Sequence, residues 1–118
     1  MHWLRFSTQG GSSFGFLEAD GVRACRGDMF SAWEKTDALI ALNDIRWETP
    51  CTPTKMIALW NNFHEAATKF ALSIPAEPLF FVKSANSFCP HNATIPAPRS
   101  YSGKVLFEGE LGIVIGRQ

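Results

Sequence analysis

The sequence predicts an α+β fold that is mostly β, with a small α/β unit in front of a main domain. Three observations carry that expectation. Short apolar runs rich in Val, Ile, Leu and Phe recur between Gly, Asn, Asp and Pro signals, as strands do. Only two stretches space their apolar residues as a helix does. A proline-rich connection, Thr49-Pro50-Cys51-Thr52-Pro53-Thr54, divides the chain into two parts. We place the boundary there, with the small unit over residues 1–52 and the main domain starting at 53 and running to 118.

In the front unit, Trp3 to Phe6 and Phe14 to Glu18 read as two strands, with Gln9-Gly10-Gly11-Ser12-Ser13 as the turn between them. Asp20-Gly21 is a tight-turn signal, and Val22 to Cys25 reads as a third short strand. Asp28 is placed to cap a helix from Met29 to about Leu42, whose apolar residues Phe30, Trp33, Leu39, Ile40 and Leu42 fit helical spacing.

Beyond the boundary, Met56 to Trp60 reads as a buried strand. Asn61 or Asn62 is placed to cap a helix through about Leu72, with Phe63, Ala66, Ala67 and Phe70 on one face, and Pro75 and Pro78 end it. Leu79 to Lys83 is a second apolar strand that ends on a charge. A long loop rich in Ser, Asn and Pro comes next, from Ser84 to Ser100, and loops of that kind are more often functional or mobile than idle. Lys104 to Phe107 leads into Phe107-Glu-Gly-Glu-Leu-Gly-Ile-Val-Ile-Gly116, which reads as a buried strand.

Composition narrows the function. The chain has 118 residues, 46% hydrophobic and 19% charged, as expected of a soluble globular domain with one modest core. Eleven basic and eleven acidic residues cancel, and no basic run stands out, so no nucleic-acid partner is expected. No apolar stretch approaches the roughly 20 residues that span a bilayer, and the N-terminus lacks a signal-peptide layout. No membrane partner is therefore expected. Cys25, Cys51 and Cys89 are odd in number and unpatterned in spacing, and read as free thiols of a reducing cytoplasm.

The strongest chemical signal is Glu108 and Glu110. Two residues apart on a strand, they point to the same side. Like charges buried side by side need a positive partner, and a hard divalent cation with oxygen ligands is the natural one. Taken alone, the pair reads more readily as an edge strand with two solvated acids.

The context of this pair is distinctive. Pro53-Thr-Lys-Met-Ile-Ala-Leu-Trp-Asn-Asn-Phe63, Glu77-Pro-Leu-Phe-Phe-Val-Lys83, Ile95-Pro-Ala-Pro98 and Phe107-Glu-Gly-Glu-Leu-Gly-Ile-Val-Ile-Gly116 succeed one another in order. Together they resemble the start of the catalytic domain of the fumarylacetoacetate hydrolase family. The resemblance implies a mixed β-roll or sandwich, incomplete here, behind the small α/β unit. It implies Mg²⁺ or Mn²⁺ as cofactor, a small-molecule 2-oxo acid as substrate, and a homodimer. It assigns the metal to Glu108 and Glu110, with a third ligand, an Asp, expected past Gln118. Lys83 matches the lysine that ends the family's Pro-x-x-Phe-x-Lys strand and helps hold the substrate.

The resemblance also sets out where this chain departs. Many members place a His and a Glu three residues apart in the helix after an Asn-Tyr. Here Phe63 stands for the Tyr, and the aligned positions hold Ala66 and Lys69. His64 and Glu65 lie nearby but earlier, and a two-residue shift turns a helical side chain by about 200°. His64 is the candidate general base, and its plain alternative is a half-buried surface histidine. Glu65 is a poor partner for it, because adjacent helix residues do not face each other. Asn62, Phe63 and His91 are the candidate substrate-binding residues. For His91, in Cys89-Pro90-His91-Asn92, the plain alternative is an exposed loop side chain. For Lys83 it is a strand-end lysine reaching water.

The expected function is a divalent-metal-dependent enzyme of 2-oxo acid catabolism. The metal would chelate the substrate carboxylate and keto oxygen and stabilise an enolate, with Lys83 offsetting negative charge. The reaction is hydrolytic carbon–carbon cleavage of an acylpyruvate-type substrate, or isomerisation or decarboxylation of a 2-hydroxy-dienedioate. The competing reading is a truncated, non-catalytic fragment that acts only as a folding or oligomerisation unit. Open strand edges would favour its association.

Overall fold

The structure is a computed structural model, and it describes residues 1–116. It is mostly β with few helices. The chain forms two compact units: Met1–Cys51 together with the chain from Cys89 onward, and Thr52–Phe88.

The first unit is built on an antiparallel sheet of five strands. These are β1 (Trp3–Thr8), β2 (Gly11–Glu18), β3 (Gly21–Gly27), β4 (Trp33–Ile40) and β5 (Arg46–Trp47), in the spatial order β4-β3-β2-β1-β5. The β1–β2 turn is tighter than the expected span over residues 9–13. Thr8 pairs with Gly11, so Gln9 and Gly10 make the turn alone and Ser12 and Ser13 belong to β2. Glu18 pairs with Gly21 across the Ala19-Asp20 turn, so the Asp20-Gly21 signal does mark a hairpin.

Period-two alternation places the core on one face. Leu4 and Phe6 of β1, Val22 and Ala24 of β3, and Ile45 pack together, with half-buried Ile40 and Trp47 against them. Phe6 and Val22 are fully buried. Gly15 of β2 sits between Leu4 and Ala24 in the register. A Cβ there would lie far inside contact with the Arg23 carbonyl oxygen, so only glycine lets β2 and β3 approach this closely. The opposite face carries an aromatic cluster. Trp3 lies edge-on to Phe16 at 5.5 Å and to Trp33 at 4.8 Å between ring centroids.

The expected helix from Met29 to Leu42 is not formed, so the front unit holds no α-helix among its described residues and is all β rather than α/β. Residues 33–40 are strand β4, paired antiparallel with β3 from Gly27–Trp33 to Val22–Ile40. The register explains the misleading periodicity. Arg23 pairs with Leu39 and Cys25 with Lys35, so β4 carries extra residues against Ala24 and bulges. Trp33 and Ile40, on either side of the bulge, lie seven residues apart, the spacing of a helical face. Thr36 closes the bulge, donating from Oγ1 to the Ala24 carbonyl at 2.8 Å. Asp28 caps no helix: its Oδ1 accepts from the Phe30 N–H at 2.8 Å in an Asx turn. Among the described residues of this unit the only helical piece is a single 3₁₀ turn, Leu42–Asp44.

The second unit is a two-stranded antiparallel ribbon of β6 (Met56–Trp60) and β7 (Leu79–Lys83), joined through a short helix α1 (His64–Lys69). Both strands fall where the sequence predicts them, but β6 is not buried as expected and β7 is largely exposed too. Only Ala58 of β6 is buried, while Ile57, Trp60, Phe80 and Val82 are all more than half exposed. The helix is shorter than predicted, and neither Asn61 nor Asn62 caps it. Phe63 is the N-cap and no side chain bonds there.

The segment around the acidic pair is the largest difference from expectation. Residues 104–116 contain no strand; Phe107 is 98% exposed, and Leu111, Ile113 and Ile115 are also largely exposed. A strand exists only as one member of a hydrogen-bonded pair, and among the described residues no strand pairs with this segment. Its apolar alternation is present, but the ladder and the cover that would make it a strand are not.

Candidate functional site

Glu108 and Glu110 lie in this extended, exposed segment. A Cβ built on Gly109 between them meets no atom within 4 Å, so a side chain would have open space at this position. Their oxygens suit a hard divalent cation, but such a cation needs about six oxygen ligands. Among the described residues no three His, Cys, Asp or Glu side chains come together as a metal site would require. The two glutamates are donors of the right chemistry that do not by themselves amount to a metal centre.

Lys83, Asn62, Phe63 and His64 belong to the other unit. Lys83 ends β7 opposite Met56, is half-buried, and holds its Nζ 5.8 Å from the centre of the Phe81 ring. His64 is the first residue of α1 and is exposed. Asn62 and Phe63 precede it, both exposed, with Phe63 in extended backbone at φ −110°. Asn62, Phe63 and His64 therefore follow one another from the end of β6 into the first residue of α1.

His91 is placed differently. It lies in the first unit, where its ring meets Trp47 of β5 edge-on at 5.2 Å between centroids. Its loop turns through Asn92 at φ +60°, with the Ala93 N–H donating to the Pro90 carbonyl at 3.2 Å. The loop histidine thus packs on an aromatic side chain of the front sheet.

Sequence reasoning missed two arrangements. One is an ion cluster on the front sheet. Arg23 donates to Glu18 Oε2 at 2.8 Å and Lys35 approaches Glu18 Oε1 at 3.0 Å. The Arg23 hydrogen bond, then the Lys35 hydrogen bond, hold the Glu18 carboxyl well below its usual range, at about 2. Cross-strand neighbours at these positions can be read only with the β2–β3–β4 register in hand. The other is Asn61, which the sequence suggests only as a helix cap. The three cysteines are free thiols, and burial raises the pKa of the Cys25 thiol, which makes it a poor nucleophile.

With this geometry in place, the chain can be set beside known proteins. The family profile described as Fumarylacetoacetate (FAA) hydrolase C-terminal matches residues 55–118, more than half of the chain. This chain belongs to the fumarylacetoacetate hydrolase family. A second profile, described as Rv2993c-like, N-terminal, matches residues 1–50. An uncharacterised protein of Staphylococcus aureus strain USA300 is 40% identical over 83 residues, which cover 69% of this chain and 27% of that protein. The chain thus spans about a quarter of the length of the curated relatives it matches. A solved structure of an uncharacterised protein from Mycobacterium abscessus superposes with a TM-score of 0.60 at 24% identity, covering 74% of this chain and 34% of that one. The crystal structure of Cg1458 does so with a TM-score of 0.56 at 24% identity, covering 72% and 32%. Those two likenesses concern the fold. Members of the fumarylacetoacetate hydrolase family usually bind divalent metals. Among the described residues no helix is long and apolar enough to cross a membrane.

Proposed function

We propose that this chain supplies part of the metal- and substrate-holding machinery of a divalent-metal-dependent enzyme acting on small 2-oxo acids. The observation that carries the reading is family membership over residues 55–118, a span that includes both Glu108-Gly109-Glu110 and Lys83. Glu108 and Glu110 serve as carboxylate ligands for Mg²⁺ or Mn²⁺, with further donors from outside the described residues. Such a metal supplies Lewis-acid polarisation of the substrate's oxygens. Lys83 holds the substrate carboxylate through a charge-assisted hydrogen bond. Asn62, Phe63 and His64 present an amide, an aromatic face and an imidazole along one short segment. His64 is the candidate general base of this segment. The catalytic domain is a mixed β-roll in this reading. The reaction is hydrolytic carbon–carbon cleavage, or isomerisation or decarboxylation of a 2-hydroxy-dienedioate, in the cytoplasm and in a homodimer.

A second reading rests on residues 104–116, which lack strand partners and bring no third metal ligand among the described residues. In that reading the chain is a folding or oligomerisation unit without catalysis of its own. One experiment separates the two. The protein is expressed from its natural coding sequence through to the stop codon, and Mn²⁺ binding is titrated calorimetrically beside a 2-oxo acid turnover screen. The enzyme reading expects saturable Mn²⁺ binding and turnover, both abolished by Glu110→Ala. Near-normal activity in Glu110→Ala would remove the metal assignment, and absence of Mn²⁺ binding in the unmodified protein would favour the second reading.

A further inference from the structure

We infer that Asn61 is a positioning residue, a clasp that fixes the segment carrying Asn62, Phe63 and His64. The inference rests on the functional reading above for what that segment does, and on geometry for how it is held. Asn61 directly follows β6 and adopts the left-handed backbone, φ +55°. Asparagine is one of the few non-glycine residues that tolerates this conformation, and it turns the chain sharply out of the strand. Its side chain then reaches across the whole excursion, with Nδ2 donating to the Ser73 carbonyl at 2.8 Å. The bond joins the two ends of the loop that contains α1.

The helix needs this support. At six residues, with no side-chain cap at its start, it is too short to stand by local propensity. It buries only Ala67. Its far end is closed by a Schellman arrangement, in which Ala71 donates to Thr68 at 3.2 Å and Leu72 donates to Ala67 at 2.9 Å. The near end has only Asn61. The Asn61 amide is also held in one orientation at a cost. Its Oδ1 is shielded from solvent and accepts no hydrogen bond among the described residues. Turning the amide over would set its oxygen against the Ser73 carbonyl oxygen. An amide kept this way, on a strained backbone, beside three candidate site residues, fits a neck that is held for positioning.

The test uses the protein expressed through its natural stop codon, with Asn61→Gly and Asn61→Asp. Gly tolerates the left-handed backbone and deletes the clasp while adding chain freedom; Asp adds no such freedom, keeps the shape and replaces the donor with an oxygen, so an effect shared by both variants is that of the clasp. Hydrogen exchange should rise about five- to tenfold at the Ala67, Phe70 and Leu72 amides, the effect of one lost hydrogen bond, with β1–β3 amides unchanged as an internal check of folding. Mn²⁺-dependent turnover of a 2-oxo acid should fall about ten- to a hundredfold in kcat, with KM within about twofold. Unchanged exchange in both variants overturns the clasp. Faster exchange with unchanged kcat overturns the positioning role and leaves a purely structural bond. If the unmodified protein turns over no 2-oxo acid, the proposed function fails, and the exchange measurement still decides whether Asn61 holds the segment.

Discussion

The front sheet and the β6–β7 ribbon are built from similarly apolar strands, yet one has a core and the other does not. In the sheet, Leu4, Phe6, Val22, Ala24 and Ile45 bury each other on one face, and an aromatic cluster fills part of the other. In the ribbon, Ala58 is the one buried strand residue, and larger side chains such as Trp60 and Phe80 are exposed. Two strands offer two faces and nothing to cover either, and isolated hairpins are marginal for that reason. Apolar pattern therefore states what a segment needs, whereas burial depends on what else is present to meet the need.

The sharpest way to break this comparison is to remove the same side chain from each unit. Phe6→Ala opens a cavity in a fully packed face and should lower unfolding free energy by about 3–5 kcal/mol. Phe80→Ala removes a ring that is 67% exposed and should change it by no more than about 0.5 kcal/mol. Urea unfolding followed by circular dichroism measures both. Equal losses would mean that the ribbon is covered as well as the sheet is.

A smaller change sharpens the contrast inside the ribbon unit. Ala71 ends α1 at φ +52°, where helices ordinarily place glycine. An L-residue there costs about 1–2 kcal/mol, partly offset by the greater unfolded-state freedom of glycine. Ala71→Gly should thus stabilise the closure of α1 by about 0.5–1 kcal/mol, read as slower hydrogen exchange at Phe70 and Leu72. Faster exchange at those amides would show that the Schellman closure does not hold the helix.

What is legible in the sequence divides along the same line. The hairpin signals around Gly10 and Asp20-Gly21, and the runs Met56–Trp60 and Leu79–Lys83, point to strands that form, because local turn chemistry and local pairing decide them. Trp33–Ile40 reads as helix because a bulge against Ala24 shifts its spacing, and a bulge is a property of two strands at once. Phe107–Gly116 reads as a buried strand because its pattern is real, while among the described residues no strand pairs with it. The candidate site is legible as a set of residue types around Glu108, Glu110 and Lys83. Its clasp at Asn61 is not, because the partner is a backbone carbonyl on Ser73, and carbonyls leave no mark in a sequence.

The smallest expected effect belongs to the rim of the front sheet, and its sign comes from the ion cluster. Glu18 is lowered from 4.5 to about 2 by the Arg23 hydrogen bond first and the Lys35 hydrogen bond second. A carboxylate whose pKa is lower when folded binds fewer protons folded than unfolded. Its contribution is therefore complete above about pH 4.5, declines as pH falls below that, and is gone once pH has passed through about 2. The pair is partly open to water, where such bonds contribute little, so the slope should be shallow. Urea midpoints between pH 5 and pH 2 should fall less steeply in Glu18→Gln than in the unmodified chain. The ribbon unit, which does not contain Glu18, gives the control: its exchange rates, corrected for intrinsic pH dependence, should be the same in both proteins. Parallel slopes in the two proteins would mean that the Glu18 cluster is equally formed when the sheet is unfolded, and that the front unit owes its stability to the packed face alone.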